Sequence, residues 1–193
     1  MIINYKPSVL KIWGCFDIEN KDMKAVGIDL AGKEKNPTGV CTLCGDSSYF
    51  DVLSIKTLYR NRDIIEYAAC NKADVVAIDA PLIEGEIKVR EGDRILKKYG
   101  ALPPTMPSMR ELSVRAMKIS KLVDREVIEV FPTASAKILG FYNKDYRKMA
   151  LLRGIKVRNK HEMDAYIAAL TGLLYLEGKT EMAGEIVIPA KPF

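Results

Sequence analysis

Short β-rich apolar runs alternate along the chain with stretches of helical periodicity. From Met23 the pattern predicts a strand at 24–30, a turn at Gly32, Asn36 and Pro37, a strand at 38–44, a turn at Gly45-Asp46 and a strand at 48–55. Apolar runs separated by such turn residues make an antiparallel meander. Apolar positions at helical spacing follow at about 58–72, and then the continuous run DVVAID, which ends at Asp79. Strands flanking a helix in this way predict a parallel crossover.

Residues 80–108 lose the pattern and carry Pro81, Gly85, Gly92, Gly100, Pro103, Pro104 and Pro107, so an irregular insert or lid is expected there. Helical spacing returns through Met109, Leu112, Ala116, Ile119 and Leu122, and the strand-like REVIEVF follows. Pro132-Thr133 ends that strand, and short helices are expected at 134–140 and 144–153. Asn159 with Glu162 reads as an N-cap and its N3 acid, opening a long helix that runs to Glu177 and stops at Gly178. IVIP near the C-terminus predicts a short edge strand or tail.

A chain of 193 residues fits one domain with a sizeable core, here assigned to 23–193 with the insert at about 80–108. Residues 1–22 stand apart as an N-terminal appendage. They read either as a short docking segment using Leu10, Ile12, Trp13 and Phe16, or as translation upstream of a start at Met23. They lack the basic start and long apolar middle of a signal peptide, and no apolar stretch approaches the ~18 residues of a membrane span. A cytoplasmic protein with no membrane partner is expected.

Apolar residues at 48% and charged residues at 28% suit a folded soluble domain and exclude a disordered chain. The net charge of +5 is unevenly spread: 80–125 holds ten Lys/Arg against six Asp/Glu, and 143–160 holds seven against Asp145 alone. Basic segments of this kind suit a phosphodiester ligand, or are simply solvated faces. Four scattered cysteines agree with a reducing compartment. Cys41 and Cys44 form a CxxC without the second pair that a zinc site requires.

The chemistry is concentrated in four acids. Asp29 ends KAVGID, Asp79 ends DVVAID, Glu129 interrupts VIEVF and Asp164 opens MDAYIAALTGLLYL. An ionised acid in apolar surroundings costs several kcal/mol unless a cation or hydrogen bonds compensate, and a divalent metal compensates several acids at once. On the last helix Asp164, Ala168 and Thr171 share one face, and the small residues there would let the helix approach a sheet. His161, the only histidine, lies one turn before Asp164 on the same side. A role in proton transfer or product release competes with that of a solvated first-turn residue.

The order βββαβαβ with a final helix, and acids on the first, fourth and fifth strands and on that helix, resembles the ribonuclease H-like fold: an α/β domain with a mixed five-stranded sheet flanked by helices. In that fold these strands are adjacent, so carboxylates near their C-terminal ends converge on one cleft. More closely, GIDLAG with PTGV, AIDAPL, the Arg94 region with GALPP, RELSVRA, VIEVFPTAS and DAYIAALTGLLYL look like the domain-of-unknown-function family numbered 429, described as predicted nucleases. The likeness covers about residues 24–189. It implies phosphodiester hydrolysis with two Mg²⁺ or Mn²⁺ ions, one activating water and the other stabilising the leaving oxygen. Asp29 would bridge the ions, Asp79 and Asp164 would each bind mainly one, and Glu129 would be a further ligand or a water-positioning base. Arg94, Arg115 and Lys137 would contact phosphate. The implied partner is nucleic acid of unspecified type, and branched-DNA resolvases of this fold act as dimers, which leaves a homodimer open. The competing expectation is a protein that binds nucleic acid or a phosphorylated ligand in the same acidic cleft without turnover.

Two other likenesses fail on chemistry. Gly27 to Lys33 matches GxxxxGK of a P-loop, but Glu34 stands where a hydroxyl must bind Mg²⁺, and Asp29 would put negative charge into the phosphate cradle. Actin-like ATPases and sugar kinases need two halves of this fold, and the chain has room for one.

Overall fold

The computed structural model describes residues 23–191. The expectation for residues 1–22 lies outside the described residues. A mixed sheet of five strands forms the middle layer: β1 (Lys24–Asp29), β2 (Thr38–Gly45), β3 (Phe50–Leu58), β4 (Val75–Asp79) and β5 (Glu126–Glu129), in the spatial order β3-β2-β1-β4-β5. β2 pairs antiparallel with β1 and β3, whereas β4 pairs parallel with β1 and β5. The first, fourth and fifth strands are therefore neighbours. β1 and β4 read as near-continuous apolar runs because both are buried on two faces.

α1 (Asn61–Cys70) and α3 (Pro107–Ser120) cover one face, where Ile64, Ala68, Ala116 and Ile119 pack on Val26, Ile28, Val76 and Ile78. The irregular stretch between β4 and α3 contains a short helix, α2 (Glu91–Leu96), and a single 3₁₀ turn. The other face carries α4 (Pro132–Ile138), α5 (Tyr146–Leu152) and α6 (Lys160–Leu176). The C-terminal IVIP is half of a hairpin, with β6 (Thr180–Ala183) paired to β7 (Ile186–Pro189). β6 escaped the sequence pattern because its first three positions are not buried and show no apolar alternation.

α6 is buried along most of its length. Its close approach uses Ala165, Ala169 and Gly172 against Gly27 and Ala25, a face turned from the expected Ala168–Thr171 stripe. Thr171 bonds instead to Ser135 on α4. A Cβ on Gly27 would overlap the backbone of Ala165 and Ala169, and one on Gly39 would overlap the backbone of His161. These two glycines let the helix lie directly on β1 and β2.

Candidate metal centre

The register of β1 and β4 sets Asp29 beside Asp79 at the C-terminal ends of the strands. Side chains alternate along a strand, so Asp29 shares the α6 face with Ala25 and Gly27, and Asp79 shares it with Val75 and Ala77. Asp164 reaches them from the first turns of α6.

That helix start is tied down by hydrogen bonds. The Asn159 side chain accepts from the Glu162 amide at 3.0 Å, as an N-cap should. Glu162, 1% exposed, accepts from the Arg158 amide at 2.7 Å and from Thr57 Oγ1 on β3 at 2.9 Å. Asn159 Nδ2 donates to the same Thr57 hydroxyl at 2.9 Å. The expected cap thus also anchors α6 to the sheet edge, which fixes where His161 and Asp164 point.

The cluster carries more negative charge than its surroundings favour. Burial, and then the charges of Asp29 and Asp164, hold the Asp79 carboxyl well above its ordinary range. Burial and Asp29 lift Asp164 to about 6 despite its neighbour Lys160. Two basic side chains answer this charge: Lys160 Nζ lies 3.0 Å from Asp164 Oδ2, and His161 Nδ1, which adds a positive charge when protonated, lies 2.6 Å from Asp29 Oδ2. The bond to Asp29 raises the His161 imidazolium above its ordinary value, outweighing the burial that lowers it. Lys160 was missed in the sequence, although its i,i+4 spacing to Asp164 is a readable signal.

Glu129 is held differently. It pairs in register with Ile78, which faces α1 and α3, so alternation turns it away from the α6 face. Its carboxylate, 6% exposed, bends over the strand end and accepts from Arg90 Nη1 at 2.7 Å, Arg90 Nη2 at 2.6 Å and the Leu82 amide at 2.7 Å. Arg90 also donates to both oxygens of Asp93, at 3.1 and 3.3 Å. Burial raises the Glu129 carboxyl even so, with Arg90 opposing. This buried triad staples the loop after β4 and α2 to β5. Sequence gave no sign of Arg90, whose partner Glu129 lies in a separate element.

Of the basic residues expected at phosphate, Arg115 spends its guanidinium within the fold: it donates to Asn61 Oδ1 at 2.8 Å, the Ala31 carbonyl at 2.6 Å and the Tyr59 carbonyl at 2.7 Å. It thereby locks the loop following Asp29 to the start of α1. Arg94 is exposed in the last turn of α2. Lys137 is exposed on α4, donates to the Tyr99 carbonyl at 3.0 Å and stands over the rings of Tyr99 and Tyr142. Cys41 of the CxxC is buried in β2 among core residues, and burial pushes its thiol up, away from reactivity.

The donor chemistry suits a hard dication: Asp29, Asp79 and Asp164 are all-oxygen donors whose repulsion a metal would relieve. Among the described residues no three His, Cys, Asp or Glu side chains already enclose one point as a ligand shell, since Asp29 turns to His161 and Asp164 to Lys160.

No family model and no curated protein matches the chain. Solved structures do. Thermus thermophilus RuvC in complex with Holliday junction substrate is similar at 14% identity and a TM-score of 0.53, covering 81% of this chain and 97% of that one. A second structure of Thermus thermophilus RuvC gives a TM-score of 0.54 at the same identity and coverage. Identity this low speaks for architecture alone, and with the strand order above it establishes a ribonuclease H-like fold.

Proposed function

We propose that the protein is a divalent-metal-dependent nuclease or phosphoesterase that hydrolyses phosphodiester bonds. One observation carries this reading: Asp29 and Asp79, neighbours at the ends of parallel strands, lie with Asp164 in one cluster, in which burial and neighbouring carboxylates lift Asp79 and Asp164. Asp29, Asp79 and Asp164 would hold Mg²⁺ or Mn²⁺. When bound, two such ions supply an activated water and stabilise the departing oxygen. Asp29 would be the ligand common to the site, because it lies between Asp79 and Gly39, on which the start of α6 sits. Glu129, whose three accepted bonds leave one acceptor site open on Oε1, would position water or add a further ligand, and its salt bridge keeps the loop after β4 against the cleft. His161 is placed to hold a proton at Nδ1 beside Asp29. Lys137, exposed on α4, and Arg94, exposed on α2, would be the phosphate contacts, with Arg115 acting through the Ala31 carbonyl.

The motif likeness to family 429 and the similarity to a RuvC bound to a Holliday junction support nucleic acid as the substrate class. A cytoplasmic location and a homodimer belong to the same proposal. Among the described residues no helix is long and apolar enough to cross a membrane. Binding without turnover is favoured by one observation, the neutralisation of Asp29 and Asp164 by His161 and Lys160.

The test is Mn²⁺-dependent cleavage of single-stranded, duplex, hybrid and branched substrates by the wild type and Asp29→Asn. Cleavage that disappears in the variant supports catalysis. Metal binding and cleavage that are both unchanged by the substitution reject the site.

A further inference from the structure

Beside Asp29 and Asp79 the cleft deepens into a pocket of about 220 Å³. Its polar side chains are carboxylates, Asp29, Asp79, Asp93 and Glu129, and Arg90 ties the last two to one another. The rest of its wall is apolar, with Leu30, Leu102, Met109, Leu112, Phe131 and Ile186 prominent. A site made for phosphate alone would offer cations and backbone amides and would have no use for such a wall. An apolar cavity of roughly 150 Å³ holds benzene, so this volume admits one aromatic base and excludes a base pair. Phe131 supplies a ring for stacking, and Met109 a polarizable thioether.

Because Asp29 and Asp79 form part of the same wall, a nucleotide whose phosphate lies at the acids has its own base within reach of the pocket. A base inside a duplex enters only after unstacking and unpairing, which costs a few kcal/mol, whereas an unpaired base avoids most of that cost. Side chains that suit an adjoining strand lie close to the pocket lining. Ala101 lines it, Tyr99 lies two residues earlier, and the exposed Lys137 stands 5.9 Å from the Tyr99 ring centre and 4.9 Å from that of Tyr142. Cations interleaved with aromatic rings are what single-stranded nucleic acid binds.

We propose that this pocket receives the base of an unpaired nucleotide at the scissile phosphate, so that the substrate is nucleic acid with a single-stranded or extruded nucleotide and not continuous duplex. The placement at the scissile phosphate rests on the hydrolytic reading above; occupation of the pocket by a base does not.

The test uses the full chain with Mn²⁺ and oligonucleotides carrying 2-aminopurine at one unpaired position, the same probe within a duplex, and an abasic residue in its place. Binding is read by fluorescence anisotropy of an end label and by 2-aminopurine emission, and cleavage on gels. The expected result is a change in probe emission for the unpaired base, about tenfold weaker binding of the abasic strand, and loss of that preference in Ala101→Trp, which adds bulk at a lining residue. Leu102→Ala, at a residue 53% exposed and therefore safe for folding, weakens the preference severalfold. Equal affinity for base-bearing and abasic strands overturns the proposal, as does a preference that neither substitution alters. Base-dependent binding without cleavage upholds the pocket and rejects hydrolysis; cleavage indifferent to the base does the reverse.

Discussion

Asp29 and Asp79 are register partners on parallel strands, each the last residue of its strand, with their carboxylates on the face that α6 covers. Two acids so placed oppose folding unless one is protonated or a cation intervenes, because desolvation and like charge act in the same direction. Asp79→Asn keeps the shape and removes the charge. In metal-free protein at pH 8 it is expected to raise stability, because burial and the charges of Asp29 and Asp164 penalise the ionised acid that Asn replaces. The gain should shrink as pH falls and the folded-state acid takes up its proton. The proposed Mn²⁺-dependent cleavage should be lost at any pH. Denaturant melts in EDTA and an activity assay check this; an Asn variant less stable than the wild type at pH 8 would mean that Asp79 is a satisfied structural acid.

The pH dependence of the metal-free fold has a definite sign. Asp164 is lifted from 3.8 to about 6, so the folded state binds its proton more tightly than the unfolded chain does. Stability from this group is complete below pH 3.8 and is lost as pH rises through about 6. The His161 imidazolium, also raised, contributes below its ordinary value of 6.5 and loses its contribution as pH climbs past its elevated one. Melts in EDTA should therefore show a fall between pH 4 and 8, shallower in Asp164→Asn. Saturating Mn²⁺ should flatten the profile by favouring the ionised acids.

Lys160 would compete with the proposed metal for Asp164, since its ammonium lies 3.0 Å from Oδ2. Lys160→Gln removes the competitor and leaves the acid. Isothermal titration should show Mn²⁺ binding tightened about fivefold or more, with Asp164 more strained in the absence of metal. Weaker Mn²⁺ binding in this variant would show that the lysine organises the carboxylate and does not guard it.

Arg90 lies between two carboxylates in a site where all three side chains are at most 8% exposed. Arg90→Met leaves Glu129 and Asp93 buried without their cation, which is expected to cost about 3–5 kcal/mol. Neutralising the acids as well, in the triple variant with Asp93→Asn and Glu129→Gln, should recover much of that loss. Urea denaturation of the single and triple variants measures it. A triple variant no more stable than Arg90→Met would indicate that packing, and not charge, carries the cost.

What could be read in the sequence followed from local physics. A carboxylate closing an apolar run marks a strand end, so Asp29 and Asp79 were visible, and Asn159 with Glu162 announced the helix that bears Asp164. The face of Glu129 was not visible, because a four-residue strand within REVIEVF offers too little alternation to choose a side. Its pairing with Ile78 decides the matter, and register is a property of two strands. Arg90 was hidden in a stretch punctuated by glycines and prolines. One of those glycines, Gly92, is a position inside α2 where a Cβ would meet the Ala183 carbonyl oxygen of β6, so a residue that looked like a loop marker is a packing contact. Arg115 looked available for phosphate because nothing local shows that its partners are the Ala31 and Tyr59 carbonyls.

Gly39 exposes a constraint of the same long-range kind. It is the β2 partner of Asp29, and a Cβ there would strike the backbone carbonyl of His161. The first turn of α6 can lie on the sheet only while that position has no side chain. The backbone cannot give as a flexible side-chain tip can, so Gly39→Ala must lift the helix start, straining the Thr57–Glu162 and Asn159–Thr57 bonds that hold it. A cost of about 1–3 kcal/mol is expected, as for other overpacked sites. The larger effect falls on the centre, because His161 and Asp164 ride on the displaced turn: Mn²⁺ affinity and cleavage should drop by at least about tenfold at temperatures where the variant remains fully folded. Circular dichroism melts establish the folded range, and Mn²⁺ titration within it separates displacement from unfolding. A variant that melts lower yet binds Mn²⁺ like the wild type would show that Asp164 reaches the strand ends without the close seat of α6 on Gly39.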